Sequence, residues 1–272
     1  MDNIKLIQRK ELAILKEFIR ICEKHQLTYY ILGGTLLGAV RHQGFIPWDD
    51  DIDIGMPRTD YEFLMNLPQE EFKAPYQLVN EKVNPEFTKA FMNLQDKSTS
   101  IIMTYSNERS EQALWIDIFP LDGMPANKVK KYWHGKHYLF ARMMVQLSQF
   151  NKIVNVNKKN RPLLEKVIIK LADVFKIENV LNYKKYQQYY IKVISKYDMS
   201  EEYAGNYTGA YKLREIVPSK YFGRGTVLQF EDLMVNAPMD YIGYLEAIYG
   251  PNYMELPPIE DRAPHQYEII KL

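Results

Sequence analysis

Residues 33–54, GGTLLGAVRHQGFIPWDDDIDI, concentrate the residue types best suited to chemistry in this sequence. Asp49, Asp50, Asp51 and Asp53 lead into an apolar run. Alternate side chains of an extended chain share a face. A strand over Asp51–Met56 is therefore predicted to turn Asp49, Asp51 and Asp53 one way and Asp50, Ile52 and Ile54 the other. Carboxylates about 6–7 Å apart on one face repel each other. Partly buried, they take up protons or hold a cation. A hard divalent ion, Mg²⁺ or Mn²⁺, suits an all-oxygen donor set. Asp117, an acid inside the apolar run LWIDIFPL, is predicted to add a third carboxylate; its plain alternative is an ion pair with an arginine. Asp96 and Asp122 lie beside turn residues and are expected to cap or turn. An EF-hand is disfavoured, because the positions needing Gly and a bidentate Glu hold Ile54 and Asp60.

Gly33-Gly34 lies between a predicted strand and a predicted short helix. A glycine pair lets backbone come close to a ligand, and amides at a helix start bind phosphate. Thr35 is expected to cap that helix and to donate to phosphate. Arg41 is a candidate bidentate phosphate ligand, and Trp48 a stacking or pocket residue. The glycine pair alone marks an ordinary turn. Coupled to Asp51-x-Asp53, it reads as a phosphate cradle beside a metal site, the requirement of phosphoryl or nucleotidyl transfer.

The elements that must position these groups follow from the pattern. Leu12, Leu15, Ile19 and Cys22 predict an amphipathic helix over about residues 5–25. Leu27–Leu32 reads as a buried strand, LLGAVR as a short helix, and TDYEFLMNL after Pro57 as another. YQLVNE, KAFMNLQ, TSIIMTY and WIDIFP read as strands, the last ending at Pro120. Residues 126–196 read as mainly helical with a break at NKKNRP. TVLQFEDLMVNAP reads as a hairpin turning at Glu231-Asp232, and MDYIGYLEAIYG as a helix closed by Gly250. The order favours an α+β catalytic core over 1–125, a helical basic insertion over 126–200, and a carboxy-terminal hairpin and helix over 201–272 that complete core and pocket.

Composition agrees with a folded chain. The 272 residues are 46% hydrophobic and 25% charged, which excludes disordered, collagenous and coiled-coil classes. The one cysteine, Cys22, excludes an intramolecular disulfide and a cysteine zinc cluster. The opening residues carry charge too often for a signal peptide, and no run is apolar enough to cross a membrane. A cytoplasmic setting is expected. Residues 127–197 hold 16 Lys and Arg against three acids, in a chain of net charge +1. Such a block suits an anionic membrane face, an acidic polymer or a phosphorylated substrate, or is a set of solvated helix faces. No nucleic-acid motif accompanies it.

GGTLLGAVRHQGFIPWDDDIDIGM resembles the signature of the LicD family of phosphocholine transferases, related to fukutin and fukutin-related protein. WIDIFPLDG is similar to the family's second acidic strand. FEDLMVNAP followed by YLEAIYGPNYMELPP is similar to its carboxy-terminal pattern, with Asp232 where many members carry Gly. The resemblance implies a nucleotidyltransferase-like core in which Gly33 and Gly34 bind nucleotide phosphates and Asp51, Asp53 and Asp117 bind metal. It further implies transfer of a phospho-alcohol, often phosphocholine, from a cytidine diphosphate donor to a sugar hydroxyl. The implied acceptor is a glycopolymer or lipid-linked oligosaccharide precursor of teichoic acid or lipopolysaccharide type.

The motif does not choose the alcohol. Tyr207, Tyr211, Tyr244, Tyr249 and Tyr253 could cage a quaternary ammonium or belong to the core. Asp49, Glu231, Tyr249 and His265 are candidate pocket residues. The alternatives are a ribitol- or glycerol-phosphate transferase, a nucleotide-sugar glycosyltransferase using Asp-x-Asp, and a catalytically silent binding module.

Overall fold

The computed structural model describes residues 2–84, 86–103, 110–149, 176, 180–262 and 267–272. Eight strands form one mixed sheet, with β1 (Tyr30–Ile31), β2 (Asp53–Pro57), β5 (Ser110–Met124), β4 (Met92–Met103) and β10 (Tyr267–Lys271) in that spatial order. β3 (Tyr76–Val79) also pairs with β4; β6 (Tyr203–Asn206) pairs with β5, and β7 (Ile216–Pro218) with β6. The β2–β5 pair is parallel and the others are antiparallel, so helices and a mixed sheet make an α+β fold, as expected. A separate hairpin, β8 (Thr226–Phe230) with β9 (Leu233–Ala237), turns at Glu231-Asp232.

Helix α1 (Asp2–His25) covers β4 and β5. Its apolar stripe, Ile7, Ile14, Leu15, Phe18 and Ile21, is wholly buried, which is what the helical spacing requires. α2 (Gly33–His42) follows β1, and α3 (Arg58–Met65) follows β2. α4 (Lys128–Ser148) and α5 (Tyr183–Ile194) pack on each other over a second core of Tyr138, Ala141, Tyr190, Val193 and Tyr207. α6 (Tyr241–Tyr249) is closed by Gly250 at φ +90°. The carboxy-terminal third contributes β6, β7 and β10 to the main sheet. The break read at NKKNRP lies outside the described residues. Among the described residues no helix is long and apolar enough to cross a membrane.

The structure revises three local expectations. KAFMNLQ and TSIIMTY are not two strands, because β4 runs through both with an irregularity between Asp96 and Ile101. Asp96 makes that irregularity: its carboxylate accepts from the Ser98 amide at 2.9 Å, and Thr99 Oγ1 donates to its carbonyl at 2.7 Å. β5 does not end at Pro120. Pairing with β4 stops at Ile118 and pairing with β6 starts at Leu121, so on that flank no partner needs the missing proline N–H. Asp122 is not a turn residue. It is wholly buried in β5 and takes a bidentate pair from Arg58, at 2.8 and 2.5 Å.

Candidate active site

Helix α2 begins at Gly33 itself, so the glycine pair is the helix's first turn rather than a break before it. Gly33 has φ +51°, in the left-handed region that glycine enters without strain. A β-carbon there would lie 2.9 Å from Asp53 Oδ2, and one on Gly34 would lie 2.7 Å from Asp49 Oδ2. The missing side chains therefore let two carboxylates press against the helix start. The N-cap is Leu32, which offers no side-chain bond. Thr35 is not the cap: its Oγ1 accepts from the Asp53 amide at 2.8 Å and ties α2 to β2. That use of the hydroxyl follows from its position within the first turn, beyond reach of a capping geometry.

Strand β2 starts at Asp53, so Asp49 and Asp51 precede it in irregular chain rather than on a strand. The sidedness nevertheless holds. Asp50, Ile52 and Ile54 are buried, while Asp49, Asp51 and Asp53 are only partly buried. Asp53 and Asp117 are register partners across the parallel β2–β5 pair, and Asn93 of β4 is the partner of Asp117 on its other side. The acids of two distant sequence segments thus meet. Burial first, then Asp51, Asp117 and Asp49, push the Asp53 carboxyl well above the usual carboxylate range. The Asn93 amide donates to Asp117 Oδ1, and the Lys89 ammonium lies 3.3 Å from the same oxygen. Lys89 also stacks on Trp115, 4.6 Å from the ring centre, and on Phe91 at 5.1 Å.

Among the described residues no three acid, histidine or cysteine side chains close to metal-ligand spacing about one point. The donor chemistry of Asp51, Asp53 and Asp117 still suits a hard divalent ion. All the donors are carboxylate oxygens, and the neighbours that raise Asp53 are those whose repulsion a cation would relieve. A cavity of about 340 Å³ opens beside the cluster, lined by Asp51, Asp117 and Lys89 together with Glu11, Asp50, Trp115 and Tyr267.

The remaining expected residues divide. Tyr249 is at the site, its hydroxyl 3.9 Å from the β-carbon position of Gly33, and burial raises its pKa first, with Tyr211, Asp53, Asp49 and Asp51 adding to it. Arg41, in the last turn of α2, donates to the Tyr253 and Glu255 carbonyls at 3.4 and 3.3 Å. Its guanidinium lies 6.0 Å from the Trp48 ring centre and that of Arg262 lies 4.9 Å away, so two cations flank the indole beside Asp49. Glu231 accepts from the Phe45 amide at 3.0 Å and stitches the hairpin to the loop after α2; it does not line the cavity. His265 lies outside the described residues. Tyr207 and Tyr244 are core residues, wholly buried, and the aromatic walls of the cavity are Trp115 and Tyr267.

Lys89, Asn93, Glu11 and Arg262 were not legible as site residues. They come from a loop, a strand interior, the first helix and a terminal segment, with no shared spacing. Asn93 and Glu11 carried one weak signal each, a polar residue within an apolar periodicity.

Comparison with known proteins fits this geometry. Residues 26–154 match the family described as LicD/FKTN/FKRP, nucleotidyltransferase domain. The chain is 31% identical, over 94% of its length and 93% of the relative's, to the lipopolysaccharide cholinephosphotransferase LicD of Haemophilus influenzae. It is 29% identical to an uncharacterized protein of Rickettsia typhi over 58% of this chain and 49% of that one. A stretch of 42 residues is 43% identical to human ribitol 5-phosphate transferase FKRP, covering 15% of this chain and 8% of that protein.

Proposed function

This chain belongs to the LicD family, and on that footing we propose that it moves phosphocholine from CDP-choline to a sugar hydroxyl of a cell-surface glycopolymer or lipid-linked oligosaccharide precursor. The observation that carries the reading is the register pairing of Asp53 with Asp117 beside the Gly33-Gly34 turn, in a chain similar end to end to a cholinephosphotransferase.

In this reading Asp51, Asp53 and Asp117 would hold a divalent ion, Mg²⁺ or Mn²⁺, which would supply positive charge against that of the donor diphosphate and of CMP. The α2 amino terminus, at Gly33, Gly34 and Thr35, faces the phosphates with its positive dipole end. Arg41 and Arg262, stacked about Trp48, hold the nucleotide end through guanidinium and indole contacts. Asn93 and Lys89 fix Asp117 in place. The acceptor oxygen attacks in line at the phosphorus that bears choline, a new P–O bond forms and the bond to CMP breaks. A carboxylate of the cluster takes the hydroxyl proton. Positioning and charge neutralisation supply most of the rate. Asp117 serves first as ligand, since Asn93 and Lys89 anchor it as a fixed group.

The same reading places the protein at a membrane surface. One face of α4 exposes Val129, Tyr132, Trp133 and Phe140, at 66, 58, 66 and 48% of their full area. Lys128, Lys130 and Lys136 are exposed around them. Aromatics ringed by lysine suit the interface of an anionic bilayer.

The test is CMP release from CDP-choline with Mg²⁺ and an acceptor, against CDP-glycerol, CDP-ribitol and UDP-glucose. Preferred turnover of CDP-choline, lost in Asp53→Asn and Asp117→Asn, supports the reading. Turnover of UDP-glucose without any CDP-alcohol would overturn it. Turnover of CDP-ribitol in preference would move the cargo to that named for the FKRP relative. For the membrane surface, flotation with phosphatidylglycerol vesicles should fall steeply with salt, and further in Trp133→Ala.

A further inference from the structure

We propose that the side of the cavity beneath α1 seats the quaternary ammonium group of the donor, with Glu11 as its counter-charge and Trp115 as its aromatic face. The assignment rests on the choline reading above and adds to it the residues that select the alcohol.

Glu11 carries the argument. It projects from α1 into the cavity, is 2% exposed, and its Oε2 is buried without a hydrogen-bond partner. A carboxyl in that position is costly unless a cation or donor reaches it. Burial, followed by Asp51, Asp50, Asp49 and Asp117, raises its pKa well above the ordinary range. Asp50, also buried and lining the cavity, accepts a side-chain hydrogen bond from the Tyr267 hydroxyl.

The aromatic face already accommodates a cation. Trp115 lies two residues before Asp117 on β5, so both side chains project from the same face of the strand. The Lys89 ammonium sits 4.6 Å from the Trp115 ring centre while paired with Asp117. Among the described residues four carboxyl groups, those of Glu11, Asp50, Asp51 and Asp117, line the cavity against one ammonium, that of Lys89. The charge balance thus has room for further cationic groups.

The rest of the wall selects what kind of cation. Ile7, Ile101 and Leu114 complete the cavity, each at most 3% exposed. A trimethylammonium has no N–H to donate and is satisfied by negative potential, an aromatic face and apolar contacts. A polyol such as ribitol or glycerol could donate to the carboxyls but would bring its remaining hydroxyls against three aliphatic side chains that offer them no partner. Asp51 and Asp117 border the same cavity, so a choline phosphate linked through its short ethylene bridge can reach the proposed reaction centre from this seat.

The experiment titrates the whole protein with choline, tetramethylammonium and the uncharged isostere 3,3-dimethylbutan-1-ol by calorimetry, and measures KM for CDP-choline. It uses the wild type, Glu11→Gln and Trp115→Leu. Both cations should bind the wild type at least tenfold more tightly than the isostere. Glu11→Gln, which keeps shape and removes the charge, should erase most of that discrimination and raise KM for CDP-choline about tenfold. Trp115→Leu should weaken both cations several-fold, with circular dichroism showing a retained fold. If both variants bind choline as the wild type does while CDP-choline is turned over, this inference fails and the reaction stands. If CDP-choline is not turned over but cation binding is lost in the variants, the seat stands and the proposed reaction fails. Equal affinity of the wild type for choline and its isostere also overturns the inference.

Discussion

Replacing Gly33 and Gly34 one at a time by alanine separates backbone strain from close approach at the start of α2. Gly33 sits at φ +51°, where an L-residue costs about 1–2 kcal/mol. Its new β-carbon would also lie 2.9 Å from Asp53 Oδ2, and ordinary contact begins at 3.4 Å, so the carboxylate must withdraw by the difference of 0.5 Å. For Gly34 the distance to Asp49 Oδ2 is 2.7 Å, a required retreat of 0.7 Å, with no strained backbone angle. Alanine also lowers unfolded-state entropy, which offsets about 0.4–1 kcal/mol in each case. Gly33→Ala should therefore lose roughly 1 kcal/mol or more in urea denaturation. Gly34→Ala should stay within about 1 kcal/mol of wild type. Both should lose turnover, because displacing a positioned group by up to ~1 Å costs as much as about 100-fold. The loss should be larger for Gly33→Ala, whose displaced carboxylate is a proposed metal ligand. A Gly33→Ala protein with unchanged stability and CMP release would refute the argument that the glycine turn exists to admit Asp53.

Asp53→Asn should raise the melting temperature of metal-free protein by the equivalent of about 0.5–2 kcal/mol, since it removes a carboxyl crowded by Asp51, Asp117 and Asp49. It should also abolish any Mg²⁺- or Mn²⁺-dependent rise in that temperature; scanning fluorimetry with and without each ion reads both effects. Arg58→Ala should destabilise by about 3–5 kcal/mol, because it strands the wholly buried Asp122; a loss below about 1 kcal/mol in urea denaturation would contradict the pair's structural role. Glu215 is buried and, mainly through desolvation, pushed up to about 7. An acid raised in the folded state holds its proton there while the unfolded chain has released it, so stability should decline as pH rises from the usual glutamate range to about 7. The whole effect is roughly 3 kcal/mol, and Glu215→Gln should flatten that slope in denaturations at pH 5 and pH 8.

Much of this protein was legible in one dimension because its information is local. The helical stripe of α1, the hairpin at Glu231-Asp232 and the helix closed by Gly250 follow from periodicity and turn chemistry that neighbouring residues enforce. The sidedness of residues 49–54 survived even though the strand begins only at Asp53, since alternating burial needs an extended chain and not a paired one. The choice of Asp117 rested on the cost of an acid in an apolar strand, whereas Asp122, beside Gly123, was expected to cap or turn. What the chain alone could not give was the partner each of them meets.

Tertiary structure decided that question. Asp122 met Arg58 and became a buried ion pair, whereas Asp117 fell into register with Asp53 and Asn93. Register is set by how whole strands pair, a property distributed over β2, β4 and β5 that no single residue carries. The same holds for Glu11, Lys89 and Arg262, which reach the site across many intervening residues. The order of residues determined which side chains could do chemistry. Only the packing of α1 onto the sheet, and of β2 alongside β5, decided which of them share a cavity, because the free energy that fixes those neighbours is collective burial rather than local preference.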